Sequence, residues 1–372
     1  MSGPTVINFT RGVPASESFP VDDVIAAART AIEQHGRTIL QYGQSYGFLP
    51  LREWLAEWQK VPVDHVLTAN GSLQIIEFLC CHFLSPGDVV FTEIPSYDRT
   101  LTLLRRHRAR IVGIPLAPDG PDIEALEAAL ERQVPKFFYV IPDFQNPSGA
   151  TCSLEKRRRL VALAQRHGFW ILEDAPYRPL RYRGEEQPSL HRLDPEHTLH
   201  MLSFSKLIGP GARVGMVYGP AALLQKVAKV AEDTYITPAL LAHGIAYEYC
   251  RSGRLPGQIE KLKALYAPRL EACLQALARH LPGAEATRPE GGFFLSLTLP
   301  EGVTTGAVRE RARGHQLNLA DGQAFFPEGG GERFLRLPYC ALTPDEIGEG
   351  VRRLAAAVAE AQAGHKNVSV GA

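Results

Sequence analysis

"KFFYVIPDFQNPSGATCSLEKRRRLVALAQRHGFWILEDAPY" spans residues 136–177. It opens with "KFFYVIPD" (136–143), an apolar run of strand length. Ser153 then stands as a helix N-cap, "SLEKRRRLVALAQRHG" has helical patterning, and Gly168 falls at the end of it. "FWILED" (169–174) is a second strand-length apolar run. Strands that are almost continuously apolar, joined by a helix, are the signature of parallel neighbours buried on both faces.

The same alternation repeats outward. "HVLTAN" (65–70) precedes a helix beginning "SLQIIEF", and "VVFTEIP" (89–95) precedes "DRTLTLLRRHR". "RIVGIPL" (110–116) precedes "DIEALEAALERQ" (122–133), and "LHMLSF" (199–204) and "RVGMVYGP" (213–220) are further strands. The expected fold class is therefore α/β, with a mostly parallel seven-stranded sheet between helices in a large unit at 39–254. After about residue 255 the pattern changes: a long amphipathic helix (257–281), "GGFFLSLTLP", a helix at 304–315, "GERFLRLPY" and a last helix (344–361). That predicts a smaller α+β unit of 1–38 together with 255–362, followed by a disordered tail at 363–372.

Composition narrows the function. The 372 residues are 45% hydrophobic, and 40 basic residues balance 40 acidic ones. Zero formal charge provides no general attraction to nucleic acid or to an anionic membrane. The basic runs "RRHRAR" (105–110) and "KRRR" (156–159) read as solvated helix faces. Six cysteines show no CxxC and no regular spacing, so reduced thiols and a cytoplasmic location are expected. The N-terminus "MSGPTVINFTRG" lacks the layout of a signal peptide, and no apolar run is long enough to span a bilayer.

In open parallel sheets ligands bind outside the carboxyl ends of the strands. The polar residues just after the strands are "NGSLQ" (70–74), "PSY" (95–97), "QNPSG" (145–149), "EDAPY" (173–177) and "SFSK" (203–206). Ser203, Ser205, Arg213 and the amides that open the helix at "GSLQ" suit a phosphate. Asp174 ends an apolar strand and needs a cationic partner. Asn146 and Tyr177 offer donors, Tyr97 offers a ring for stacking, and Lys206 is an amine near Arg213 whose neutral, nucleophilic form is favoured. A phosphate, a basic ring nitrogen, a phenolic oxygen and an aldehyde together describe pyridoxal 5′-phosphate (PLP).

"QYGQSYGFLPLR", "NGSLQ", "IPSY", "PDFQNPSG", "EDAPY", "SFSKLIGPGARVG" and "FLRLPY" occur in that order over nearly the whole chain. On these motifs the sequence resembles the class I/II aminotransferases of PLP fold type I, closest to the bacterial α-aminoadipate and kynurenine aminotransferase-like branch. The resemblance implies that Lys206 forms the internal aldimine and shuttles a proton, and that Asp174 keeps the pyridinium protonated. It implies that Tyr177 and Asn146 bond the phenolate oxygen and that Tyr97 stacks on the ring. Ser72, Leu73, Gln74, Ser203, Ser205 and Arg213 would hold the phosphate, with Tyr42 of the partner subunit completing it in a homodimer. Arg336 would clamp the substrate α-carboxylate beside Asn146, and Gly12 would border the substrate side chain. Arg11 would either recognise an acidic side chain or pair with a nearby acid. The implied reaction moves an amino group between an L-amino acid and a 2-oxo acid, 2-oxoglutarate being the expected acceptor.

Other readings fit less of the sequence. Ser203–Lys206 also spells S-x-x-K, but neither S-D-N nor K-T-G occurs and the serine ends a strand-like run. No HExxH, Walker loop or GxGxxG is present, and "HTLH" (197–200) has no carboxylate support, so no catalytic metal is expected. A PLP lyase or synthase of the same fold, and an effector-binding domain of a transcription regulator, remain as alternatives.

Overall fold

The computed structural model describes residues 6–369. Its large sheet has eight strands, in the order Val66–Ala69, Gly215–Tyr218, Thr198–Ser203, Trp170–Asp174, Phe137–Val140, Val89–Ile94, Arg110–Ala117 and Gly120–Pro121. The strands from Thr198–Ser203 to Arg110–Ala117 are mutually parallel. Gly215–Tyr218 runs antiparallel to both of its neighbours. The eighth strand is a two-residue edge piece, folded back on Leu116 and Ala117 through a tight turn. It is too short to leave a periodic signal, which is why seven strands were expected.

Side-chain alternation explains the two covered faces. All four residues of Phe137–Val140 are buried. Phe137 and Tyr139 join one apolar cluster with Ile75, Leu79 and Leu224. Phe138 and Val140 join the other, with Leu126, Leu130 and Leu160. Truncating either phenylalanine to alanine would cost about 3–5 kcal/mol. The helix Leu154–His167 begins and ends as its sequence predicts: the Ser153 hydroxyl accepts from Lys156 N–H at 3.4 Å, and Gly168 closes it with φ 74°.

The basic run on that helix is not a uniform solvated face. Arg157 is fully buried, with Nη2 2.7 Å from Asp143 Oδ1. Its Nε and Nη2 also donate to the Cys152 and Pro142 carbonyls at 2.9 Å. Only such a saturated set of partners makes a buried guanidinium tolerable. Arg159 does face outward, to Glu124 and Glu127.

A second core lies under the three-stranded antiparallel sheet of Glu285–Ala286, Phe294–Thr298 and Phe334–Pro338. The strand Ile7–Phe9 pairs parallel with Leu317–Leu319 and buries Ile7 and Phe9 in this core. The N-terminal helix Val21–Ile39 goes elsewhere: Ala27, Ala31 and Ile39 share a cluster with Leu240, Ala246 and Tyr249. Residues 1–38 were expected to join the smaller unit as a block; among the described residues, the strand does so and the helix packs on Leu240–Arg251. The last helix runs Pro344–Ser369, past residue 363 where a disordered tail was expected. No proline follows Gly364, and a lone glycine costs a helix only about 1 kcal/mol. Residues 370–372 lie outside the described residues.

Candidate functional site

The parallel strands deliver their C-terminal ends to one cavity of about 200 Å³. Its wall contains Ser72, Leu73, Tyr97, Asn146, Asp174, Tyr177, Ser203, Ser205, Lys206 and Arg213. Asp174 and Ser203 are the last residues of their strands, Ser72 is the first residue of a helix, and Tyr97 caps the helix Asp98–Arg106.

One end of the cavity gathers hydroxyls, a guanidinium and a helix start. Ser203 Oγ and Ser205 Oγ lie 2.9 Å apart. The 3-10 turn Pro210–Ala212 carries the chain back, and Arg213, at φ 49°, donates from Nη2 to the Asn70 carbonyl at 2.8 Å. Gly71, at φ 96°, makes this approach possible: a Cβ there would sit 2.3 Å from Arg213 Nη2. Hydroxyls, a cation and the N-terminus of the helix Ser72–Phe83 are donors of the kind that suit an anion.

Asp174 is the acidic pole. It is 4% exposed, and its Oδ2 accepts from the Tyr139 hydroxyl at 2.7 Å. Its Oδ1 is buried with no hydrogen-bond partner. Burial raises the carboxyl pKa to about 6, against the pull of Tyr139, His200 and Lys206. Sequence reasoning missed Tyr139. The register that pairs Tyr139 with Leu172 puts it on the same sheet face as Asp174, and a lone hydroxyl in the run "FFYV" was the available signal.

Lys206 ends the short 3-10 turn that follows the strand. Its Nζ donates to the Gly12 carbonyl at 3.3 Å and lies 5.7 and 5.6 Å from the Tyr177 and Phe293 ring centres. Burial lowers its pKa, with Arg336 and Arg213 adding to the effect and Cys340 and Asp174 opposing it. An amine so placed loses its proton more readily than a surface lysine and gains nucleophilicity. Burial also raises the hydroxyl pKa of Tyr177, and that of Tyr97 to about 12, so both stay neutral donors.

Arg336 stands behind Asn146. Its Nη1 donates to Asn146 Oδ1 and its Nη2 to the Thr10 carbonyl, both at 2.9 Å. The guanidinium lies between the Phe294 and Phe325 rings, at 4.7 and 4.6 Å, and its Nε is buried without a partner. Gln74 is not on the cavity wall: its Oε1 accepts from Asn70 N–H at 3.0 Å, closing its own helix start. Arg11 and Gly12 follow Thr10, and Gly12 is so close to Phe294 that a Cβ would clash at 2.2 Å. Arg11 is exposed and makes no ion pair among the described residues. Tyr42 is 72% exposed and away from the cavity of its own chain.

Glu93, 1% exposed, ties down the loop that presents Asn146. Its Oε2 accepts from Ile141 N–H and Gln145 Nε2, each at 3.1 Å. Burial pushes its pKa from 4.5 up to about 8. The folded protein thus keeps a proton that the unfolded chain releases, and the stability from this group is present below 4.5 and lost as pH rises through 8. Between pH 5 and pH 9 the wild-type protein is expected to lose roughly 2–5 kcal/mol more than Glu93→Gln in urea unfolding.

Known proteins share this fold and much of this sequence. Residues 4–354 match the family model for aminotransferase class I and II. The chain is 34% identical over 360 residues to the 2-aminoadipate transaminase of Thermus thermophilus, covering 95% of this chain and 90% of that protein. It is 34% identical over 368 residues to aromatic-amino-acid aminotransferase 1 of Thermococcus litoralis, covering 95% and 88%. The crystal structure of the Thermus thermophilus α-aminoadipate aminotransferase with N-(5′-phosphopyridoxyl)-L-leucine superposes with a TM-score of 0.92 at 34% identity, covering 96% and 93%.

Proposed function

Because the chain belongs to the class I and II aminotransferases and is a PLP-dependent transaminase, we propose that it exchanges amino groups between an L-amino acid and 2-oxoglutarate at the cavity around Lys206. The observation that carries this reading is the buried, unpartnered Asp174 Oδ1 on the wall that also holds Lys206. A protonated ring nitrogen is the partner that this oxygen lacks, and the serine and arginine cluster suits the phosphate. Bound PLP supplies an electron sink that stabilises negative charge at the substrate Cα.

This chain's residues do the rest. Asp174 holds the proton on the ring nitrogen, and Tyr139 keeps the carboxylate aimed. Tyr177 and Asn146 would bond the phenolic oxygen, and Tyr97 would offer its ring for stacking. Ser72, Leu73, Ser203, Ser205 and Arg213 hold the phosphate, while Gln74 acts through the helix start it caps. Lys206 Nζ would hold the cofactor through its aldehyde, with loss of water, and when free would serve as the acid–base group for the proton at the substrate Cα. Arg336 grips the substrate α-carboxylate, its guanidinium already oriented by Asn146 and Thr10.

The protein acts as a cytoplasmic homodimer on this reading, with Tyr42 of the partner subunit reaching the phosphate. Exposed Val21, Ile25, Leu40 and Tyr42 are the apolar surface that such an interface would cover. No helix among the described residues is long and apolar enough to cross a membrane.

The test is a half-reaction: PLP-loaded protein mixed with single L-amino acids and no acceptor. Pyridoxamine phosphate with an equivalent of 2-oxo acid supports transfer, whereas release of ammonia or pyruvate with PLP unchanged identifies lyase chemistry instead. Arg11 precedes Gly12, whose carbonyl accepts from Lys206, and on this reading it meets an acidic substrate side chain. Arg11→Ala is expected to lower kcat/KM for dicarboxylic donors about 10- to 100-fold, with little change for aromatic donors. Equal loss on both would remove Arg11 from specificity.

A further inference from the structure

Away from the cofactor cavity, two helices bring a carboxylate, a thiol and an imidazole together. Glu77 and Cys81 stand one helical turn apart on Ser72–Phe83, and His107 caps the end of Asp98–Arg106. One ligand atom from each lies within 4.8 Å of the other two. We propose that Glu77, Cys81 and His107 form a binding site for a divalent cation of the zinc class, with water completing the shell.

Two polar atoms of the group support this reading. Glu77 Oε2 and His107 Nε2 are buried without a hydrogen-bond partner. His107 Nε2 is 3.2 Å from Glu77 Oε1, but the contact is not aligned as a hydrogen bond. Buried polar atoms left in this way usually have a partner, and here one ion would serve both. Zinc bonds of about 2.0–2.3 Å place tetrahedral ligands roughly 3.5 Å apart. Closing the group to that spacing takes about an ångström, and Cys81 is exposed and free to rotate.

The donor set selects the metal. A thiolate and an imidazole suit zinc or cobalt, and they disfavour magnesium and calcium, which take oxygen ligands. On binding, the Cys81 thiol proton leaves to solvent, and the thiolate and carboxylate together balance the ion's charge. Arg106 is the competitor, with Nη2 3.1 Å from Glu77 Oε1. It is 69% exposed, so it holds Glu77 weakly and can turn away. The ion would pin together two helices that both start at the cofactor cavity, one at Ser72 and the other just after Tyr97.

The experiment titrates chelator-treated holoenzyme with Zn²⁺ by calorimetry and with Co²⁺ by visible absorption. One ion per chain is expected, with a sulfur-to-cobalt charge-transfer band and a Tm that rises on adding Zn²⁺. Cys81→Ser should abolish the band, and Cys81→Ser and His107→Gln should each weaken Zn²⁺ binding at least about tenfold, the scale set by loss of even an outer partner. Matching Tm values without metal establish that both variants are folded. Absence of stoichiometric binding, or an affinity that either substitution leaves unchanged, overturns the site.

Discussion

Lys206→Ala is expected to lower the rate of amino transfer by on the order of 10⁴-fold or more while the protein stays folded and still takes up PLP without a covalent bond. The amine sits on a cavity wall among the Tyr177 and Phe293 rings, with one hydrogen bond to the Gly12 carbonyl. Its removal leaves a small polar void, and it also removes a desolvated amine whose proton the site already disfavours. Stability should therefore change little, and the loss should fall on chemistry. Single-turnover measurement of pyridoxamine phosphate formation reads the rate directly. Cofactor retained after gel filtration shows whether the phosphate site, which does not involve Lys206, is intact. A variant that keeps near-native turnover would place the proton transfer on another group.

Asp174→Asn should lower turnover about 10³-fold and weaken PLP binding, because an amide cannot hold the ring nitrogen's proton as a carboxylate does. The same substitution should act in the opposite direction on the cofactor-free protein. There burial raises the Asp174 pKa from 3.8 to about 6, so ionising it costs about 3 kcal/mol at neutral pH. The sign follows from the proton count: the folded form binds the proton more tightly, so stability from this group is present below 3.8 and lost as pH rises through 6. Cofactor-free Asp174→Asn should then match wild type near pH 4 and exceed it at pH 8. A cationic partner on Oδ1 offsets that cost in the loaded wild-type protein, so adding PLP should reverse the order of stabilities. Denaturant midpoints at the two pH values, with and without PLP, check all of these expectations.

The sheet was legible because burial on both faces writes itself into composition: "FFYV" and "WILED" are strands whatever surrounds them, and the helix between them carries its own caps. The site was legible for a related reason. A parallel sheet sends all its C-terminal ends to one side, so polar residues following the strands fall together, and Ser72, Tyr97, Asn146, Asp174, Ser203 and Lys206 do line one cavity. Partner choice was not legible. Gln74 follows the phosphate-type turn in sequence, yet its side chain is consumed by the Asn70 amide. Arg157 reads as one of a solvated basic run, yet it is buried on Asp143, because helical phase and a carboxylate 14 residues away decide its fate. Tyr139 looked like core, since nothing local shows that its hydroxyl meets a strand neighbour. Each of these depends on contacts between elements, which no local pattern records.

The central claim is that this cavity holds PLP through Lys206. Borohydride reduction of the purified holoenzyme followed by peptide mapping tests it most directly. The predicted result is a single phosphopyridoxyl group on Lys206, within the peptide carrying "SFSK", with none found in Lys206→Ala. Attachment to a different lysine, or no covalent cofactor in protein that retains activity, would contradict the account.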